Sequence, residues 1–287
     1  MDSNKVERMK QFPKIRHVDF GLDKLEVTNH WFRDNMIITH FLNSFHMVFP
    51  PGERFFIRSV KAFSEQLKDE GLKKRVKAFI AQEVNHGREH EKFYRVLEEK
   101  GYKPEVYLNF YEQMAYGTIE KITNTILSEK MSLSVTVALE HHTAILAEAA
   151  FSSDELHELP DEMRKMLLWH AAEEIEHKAV AFDVLKEIDD SYFLRIAGMI
   201  IGTAYLALFV LLGQAYFISQ DREIKLSNLF SDILGVGNFI QKIGAGYVKN
   251  FFDYFRIDFH PDDIDNAYLA KEYFETEIPY IKKTIAA

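Results

Sequence analysis

The 287-residue chain contains no cysteine. That absence removes disulfides, thiolate metal sites and cysteine nucleophiles together, and it fits a reducing compartment. Glycine and proline are scarce, at 13 and 7 residues, while helix formers dominate. An all-α fold is therefore expected. Positive charge is short as well: 35 Lys and Arg face 44 Asp and Glu, for a net charge of −9. With no basic stripe, general nucleic-acid binding is excluded. The opening residues, Met1-Asp2-Ser3-Asn4-Lys5-Val6-Glu7-Arg8, lack an apolar signal core, so a cytoplasmic location is expected. Apolar and aromatic side chains are plentiful, at 47% hydrophobic residues and 24 Phe, enough for a large core.

The pattern divides the chain into an irregular arm (1–28), a helical bundle (29–190) and a helical extension (191–287). Within the bundle, His30 to Val48 reads as a buried helix that Pro50-Pro51 should end, with a new helix from Pro51 to about Lys68. Lys73 to Lys100 follows, closed by Gly101. Ile119 to Phe151 and Asp161 to Ile188 read as two further long helices, separated by a turn at Ser152 to Pro160. In the extension, Ile196 to Ile218 runs 23 residues without a charge, long enough to cross a bilayer. Its Gly198-x-x-x-Gly202 spacing permits close helix packing. Burial on the bundle, association with the inner membrane, and a homodimer through 196–255 are all compatible with this composition. Asp262 to Ala287 reads as a polar helix.

The chemistry concentrates in Trp169-His170-Ala171-Ala172-Glu173-Glu174-Ile175-Glu176-His177. At about 100° per residue, His170, Glu174 and His177 fall within roughly 60° on one helix face. Burying such a cluster without a partner would be costly, and a metal offsets that cost by taking neutral imidazole and carboxylate as ligands. Glu83-Val84-Asn85-His86 repeats the Glu-x-x-His spacing on a second helix, with His90 one turn further on. Two such motifs plus one Glu from each of two other helices form the ligand set of di-metal carboxylate bundles.

Helical hairpins supply the missing carboxylates. Residues equidistant from a hairpin turn lie level. Glu140 and Glu174 are centred on position 157, inside the Ser152 to Pro160 turn, and Glu53 and Glu83 are centred on position 68. Glu65, the rival to Glu53, would be misplaced by roughly 10 Å at 1.5 Å per residue. His141 and His142 point about 100° and 200° away from Glu140 and are expected in the core or behind the ligands. His90 is a further ligand candidate, or else lines a pocket or supports the ligands, and Tyr94 is expected to line a substrate pocket or simply to pack. Glu173 and Glu176 lie off the ligand face and are expected in solvent, with Glu173 also a candidate for the shell behind the ligands.

Glu53, Glu83-x-x-His86, Glu140 and Glu174-x-x-His177 resemble the ferritin-like di-iron carboxylate superfamily. The runs Phe-Pro-Pro-Gly-Glu-Arg-Phe-Phe, Gln-Glu-x-x-His, Leu-Glu-His-His-Thr-Ala and Trp-His-x-x-Glu-Glu-x-Glu-His-Lys resemble a bacterial family labelled "predicted metal-dependent hydrolase" over about residues 30 to 190. His170-x-x-x-Glu174-x-x-His177 is also similar to the arylamine N-oxygenase branch, which implies His170 as a seventh ligand. The sequence departs from the superfamily in one respect: Gln82 and Glu173, not Asp, precede the two motif glutamates. The resemblance implies a ferritin-like four-helix bundle with two metal ions, iron in preference to manganese or zinc. It implies Glu53, Glu83 and His86 on one ion, and Glu140, Glu174, His177 and His170 on the other. The expected activity is oxidation of a small organic substrate with O2 and an unknown electron donor. Two-metal hydrolysis is the rival, and a non-catalytic metal-binding bundle is the third reading.

Overall fold

The structure is a computed structural model that describes residues 13–277. Residues 1–12 of the arm and the last ten of the expected polar tail lie outside the described residues. Asn35, in an extended conformation, opens helix α1 (Met36–Lys61) by accepting from Ile38 N–H at 2.9 Å. This helix does not stop at the proline pair. It runs through Pro50 and Pro51, which replaces the two expected helices by one. The missing N–H groups leave the His46 and Met47 carbonyls without their usual donors, a cost of about 3 kcal/mol in an exposed helix. Burial of both prolines and of Phe55 and Phe56 offsets it. Glu53 therefore sits inside a continuous helix and not in a first turn.

Asp69 caps α2 (Glu70–Glu99), accepting from Gly71 N–H at 2.7 Å and Leu72 N–H at 3.1 Å. Gly101 closes it at φ +87°, where a side chain would be strained. The connector holds α3 (Pro104–Glu112), a π-helical turn at Gln113–Ile119, and α4 (Glu120–Leu127). The single helix expected from Ile119 to Phe151 is broken at Ser128, which adopts φ +82°, so α5 spans Glu129–Ser152. The expected Asp161 to Ile188 helix is likewise divided into α6 (Asp161–His177) and α7 (Val180–Ile188). Lys178, at that break, donates to the Ile264 carbonyl and to Asn266. The chain ends with α8 (Tyr192–Gln220), α9 (Leu229–Asp253) and α10 (Ala267–Thr276). No strand occurs among the described residues, and the fold is an all-α bundle.

Helices α1 and α2 pack as one hairpin, α5 and α6 as a second, and α8 lies across α5 and α1. Two apolar clusters fill the interior. One holds Phe93, Met163 and Trp169; the other holds Phe79, Leu133 and Val184. Between them lies a polar layer, with Trp169 packed on His86 at 5.0 Å and Phe79 on His177 at 4.9 Å.

Helix α8 contains the long uncharged run. Among the described residues it is the one helix long and apolar enough to cross a membrane, and 33% of its most apolar stretch is buried in the protein. Its glycines serve contacts inside the chain. A Cβ on Gly198 would stand 2.1 Å from Ser134 Oγ and 2.5 Å from the Ser134 carbonyl oxygen of α5. The end of α8 is held by a latch. Asp221 accepts from His30 Nε2 at 2.7 Å and from His40 Nε2 at 3.0 Å, while Glu223 N–H binds its other oxygen. Trp31 Nε1–H donates to Asn43 Oδ1, which turns Asn43 Nδ2 toward His40 Nδ1. Both nitrogens of His40 are thus committed to hydrogen bonds, so this trio reads as a latch and not as a cation site.

Two outcomes are expected. Gly198→Ala should destabilise by about 1–3 kcal/mol through overpacking, despite alanine's helix advantage of about 1 kcal/mol over glycine; a denaturation midpoint at or above wild type would contradict the α8–α5 contact. The second concerns acid. Burial pushes the Asp221 carboxyl up, but the His40 and His30 hydrogen bonds hold it below the usual range. Its contribution is present above the unfolded Asp value of about 3.9 and lost as pH falls through the lower folded value. Asp221→Asn should therefore cost about 1–3 kcal/mol near pH 7, with the gap to wild type closing as pH drops below 4 in chemical denaturation. A gap independent of pH would rule out the ionised latch.

Candidate metal centre

Four helices of the two hairpins converge on the polar layer. Glu53 comes from α1, Glu83 and His86 from α2, Glu140 from α5, and His170, Glu174 and His177 from α6. None is more than 5% exposed. Glu65 is exposed in a short 3-10 turn, Ser64–Gln66, away from this layer. The helical period places the donors on inward faces, and Gly87 makes room for them. A Cβ at Gly87 would stand 2.9 Å from Glu53 Oε2, so glycine leaves room for that carboxylate, while Pro50 Cα at 3.8 Å would be in ordinary contact. Gly87 carried no signal in the sequence, because a lone glycine inside a helical pattern has many uses.

The donor atoms form four overlapping groups, each with atoms within 4.8 Å of one another: Glu53, Glu83 and His86; Glu83, Glu140 and His177; His86, His170 and Glu174; and Glu53, His90 and His170. Glu174 spans them. Its Oε1 lies 3.5 Å from His86 Nδ1 and 2.9 Å from His170 Nε2, and its Oε2 lies 3.4 Å from His177 Nε2. Glu83 is shared as well, 3.7 Å from His86 Nδ1 and 3.1 Å from His177 Nε2. His170 lies on the Glu53 and His86 side, 3.9 Å from Glu53, with its ring 4.1 Å from that of His86. The structure groups His170 with His86 and Glu174 and with Glu53 and His90, whereas the sequence expectation placed it with His177.

The electrostatics describe a cluster short of positive charge. Burial, reinforced by neighbouring carboxylates, raises the carboxyls of Glu53, Glu83 and Glu140. For Glu174 burial acts in the same upward direction but is outweighed by His177, His170 and His86, which hold it well below the usual range. Burial lowers His86, yet Glu173 and Glu174 raise it to about 10, and His177 is raised by Glu174 and Glu140 against the same opposition. Both oxygens of Glu53, Glu83 and Glu140, with His86 Nδ1 and His177 Nε2, are buried without a hydrogen-bond partner among the described residues. Orphaned donors facing one point are costly unless a cation accepts them. Four carboxylates also match the charge of two divalent ions. The donor set fits a metal pair.

The imidazoles are oriented crosswise. Gln82, preceding Glu83 on the first hairpin, places Oε1 3.0 Å from Nδ1 of His177 on the second. Glu173, preceding Glu174 on the second, places Oε2 3.2 Å from Nε2 of His86 on the first. Each acceptor fixes a proton on the outer nitrogen and frees the inner one, as supporting shells of metal sites do. Arg16 completes this shell from the arm, donating to Glu173 at 3.0 Å and Glu176 at 2.7 Å. Glu173 is fully buried, and Glu176 is mostly covered and also accepts from Gln82. The expectation of solvated carboxylates is overturned, because the arm covers that face. Arg16 was not foreseen, since an aperiodic segment gives no hint of what it lies against.

The remaining candidates separate. His90 contacts His170 directly, through Nε2 to Nδ1 at 2.8 Å. His141 turns away to the Asn250 carbonyl, and His142 bonds Tyr247 and Thr203. Tyr94 buries a hydroxyl that has no partner among the described residues, and burial, with Glu91 and Glu53 nearby, raises it well above its usual value. His142 and Thr143 line a cavity of about 30 Å³ with Phe49, Gly52, Leu139 and Phe209. Thr143 Oγ1 donates to Glu174 Oε2, which links that cavity to the cluster. Tyr116 lines this cavity and also a surface groove of about 440 Å³ beside Arg54 and Arg58.

The fold and site thus define an all-α bundle with a buried carboxylate–histidine cluster suited to metal. A family described as "Predicted metal-dependent hydrolase" matches residues 14–265, and the chain belongs to it. No curated protein and no solved structure matches the chain.

Gly87→Ala should separate folding from metal binding. The added methyl displaces the Glu53 carboxylate while helix propensity improves. Stability should hold or rise by up to about 1 kcal/mol, and metal affinity should fall about 10- to 100-fold. Titration with a chromophoric chelator beside thermal melts checks both; unchanged affinity would remove Glu53 from the ligand set.

Proposed function

We propose that the cluster holds two divalent cations, iron in the working protein, and that the protein is a ferritin-like oxidoreductase that activates O2 to oxidise a small organic substrate. The observation that carries the reading is the set of buried, unpartnered donor atoms of Glu53, Glu83, His86, Glu140 and His177 around one point, with Glu174 and His170 completing it. Carboxylate and imidazole donors without thiolate favour iron or manganese over a structural zinc site. Bound iron would supply electrons to O2, and an external donor would restore them.

The chain's own residues would do the rest. Glu83 and Glu174 each lie near both His86 and His177 and would help to hold both cations. Gln82 and Glu173 keep the inner nitrogens of His177 and His86 free of protons. Thr143 holds Glu174 in place. The small cavity beside Gly52 and Thr143 is lined largely by Phe, Leu and Tyr side chains and has room for a diatomic molecule, which favours O2 as the inner reactant. The organic substrate would dock in the outer groove, with Tyr116 between the two spaces.

The family description favours a second reading, hydrolysis by a metal pair that generates hydroxide and polarises the substrate. Anaerobic loading with ferrous iron decides between them. The expected result is two irons per chain, with O2 uptake and a new visible absorption band on exposure to air. Glu174→Ala should lose both metals while far-UV circular dichroism is retained. Ester cleavage by the zinc or manganese form, independent of O2 and without iron-dependent O2 uptake, would overturn the oxidase in favour of the hydrolase. Full metal retention in the variant would overturn both.

A further inference from the structure

Three imidazoles stand in single file through the core, one from each of three helices. His46 on α1 faces His90 on α2, with their Nδ1 atoms 2.9 Å apart. His90 Nε2 lies 2.8 Å from His170 Nδ1 on α6, and His170 Nε2 lies 2.9 Å from Glu174 Oε1. All three residues are 5% exposed or less. Imidazole binds a metal in its neutral form, and three buried rings in direct contact with one another disfavour charge on any of them, so the file is one of neutral imidazoles.

Neutrality leaves few proton arrangements. Each ring carries one N–H, and each N···N contact must contain one proton. If His90 carries its proton on Nε2, it donates to His170. His170 must then carry its own on Nε2, toward Glu174, and His46 on Nδ1. If His90 carries its proton on Nδ1, it donates to His46. His170 then carries its own on Nδ1 and His46 on Nε2. No other neutral arrangement satisfies both contacts. Only the second leaves His170 Nε2 bare, facing Glu174 and Glu53, as a cation requires.

We infer that His46 and His90 are positioning residues that present His170 to the metal pair, and that filling the cluster moves the protons of all three rings together. The inference rests on the di-metal reading above. His90 would touch no ion, yet it would set which nitrogen of His170 is available. His46, about which the sequence was silent, is the far end of the same device.

The test uses the full chain with ring-¹⁵N-labelled histidine, stripped with chelator and then titrated with Zn²⁺, a diamagnetic probe. Two-bond ¹H–¹⁵N spectra report which nitrogen of each ring is protonated, with assignments from single His variants. Without zinc, His170 and His90 should carry Nε2–H and His46 Nδ1–H. With two zinc ions bound, these should become Nδ1–H, Nδ1–H and Nε2–H. His90→Leu should weaken zinc binding about 10- to 100-fold with helix content unchanged. His90→Gln, whose amide can accept from His170 and donate to His46, should recover most of that loss. Two zinc ions bound with the His90 proton still on Nε2 would overturn the coupled file and leave the metal site standing. Failure to bind zinc at all would overturn the site and the file with it.

Discussion

Four carboxylates buried at one point dominate the energetics of this bundle. Without compensation, their desolvation and mutual repulsion would open the helices that carry them. Protons alone answer the problem poorly: Glu53, Glu83 and Glu140 are driven toward their neutral acids while His86 and His177 are driven toward their cations. A pair of divalent ions would resolve the conflict with one charge balance. The surrounding layers follow from this. Apolar clusters above and below exclude water, and polar residues behind the donors hold each ring in the orientation an ion needs.

Much of this was legible in the sequence because it rests on helical periodicity. Glu-x-x-His fixes two donors one turn apart whatever else the chain does. Reflection about a hairpin turn was enough to choose Glu53 over Glu65. The helix boundaries were less legible. Proline normally ends a helix, and nothing local in Phe49-Pro50-Pro51-Gly52 says that burial will override it. Ser128 at positive φ and the break after His177 likewise answer to tertiary contacts, such as Lys178 reaching Ile264 and Asn266.

The supporting groups were the hardest to read. Glu173 and Glu176 resemble solvated helix residues until the arm, aperiodic in sequence, lays Arg16 across them. His46 sits in an aromatic run that looks like ordinary core. Its significance lies in a neighbour 44 positions along the chain, His90. Gln82 and Glu173 looked like departures from a pattern, yet both supply the acceptor that their position requires. Position relative to the motif, more than residue type, carried the information.

The crosswise placement of Gln82 and Glu173 has a consequence for how the protein can be divided. Neither hairpin aligns its own imidazole; each relies on the opposite one. Severing the chain between them would leave two half-sites, each keeping its own carboxylates but with a ring that nothing on that half orients. A well-oriented donor set thus exists only where the two hairpins are docked, which ties any cation binding here to the docking of the halves more than to the folding of either one.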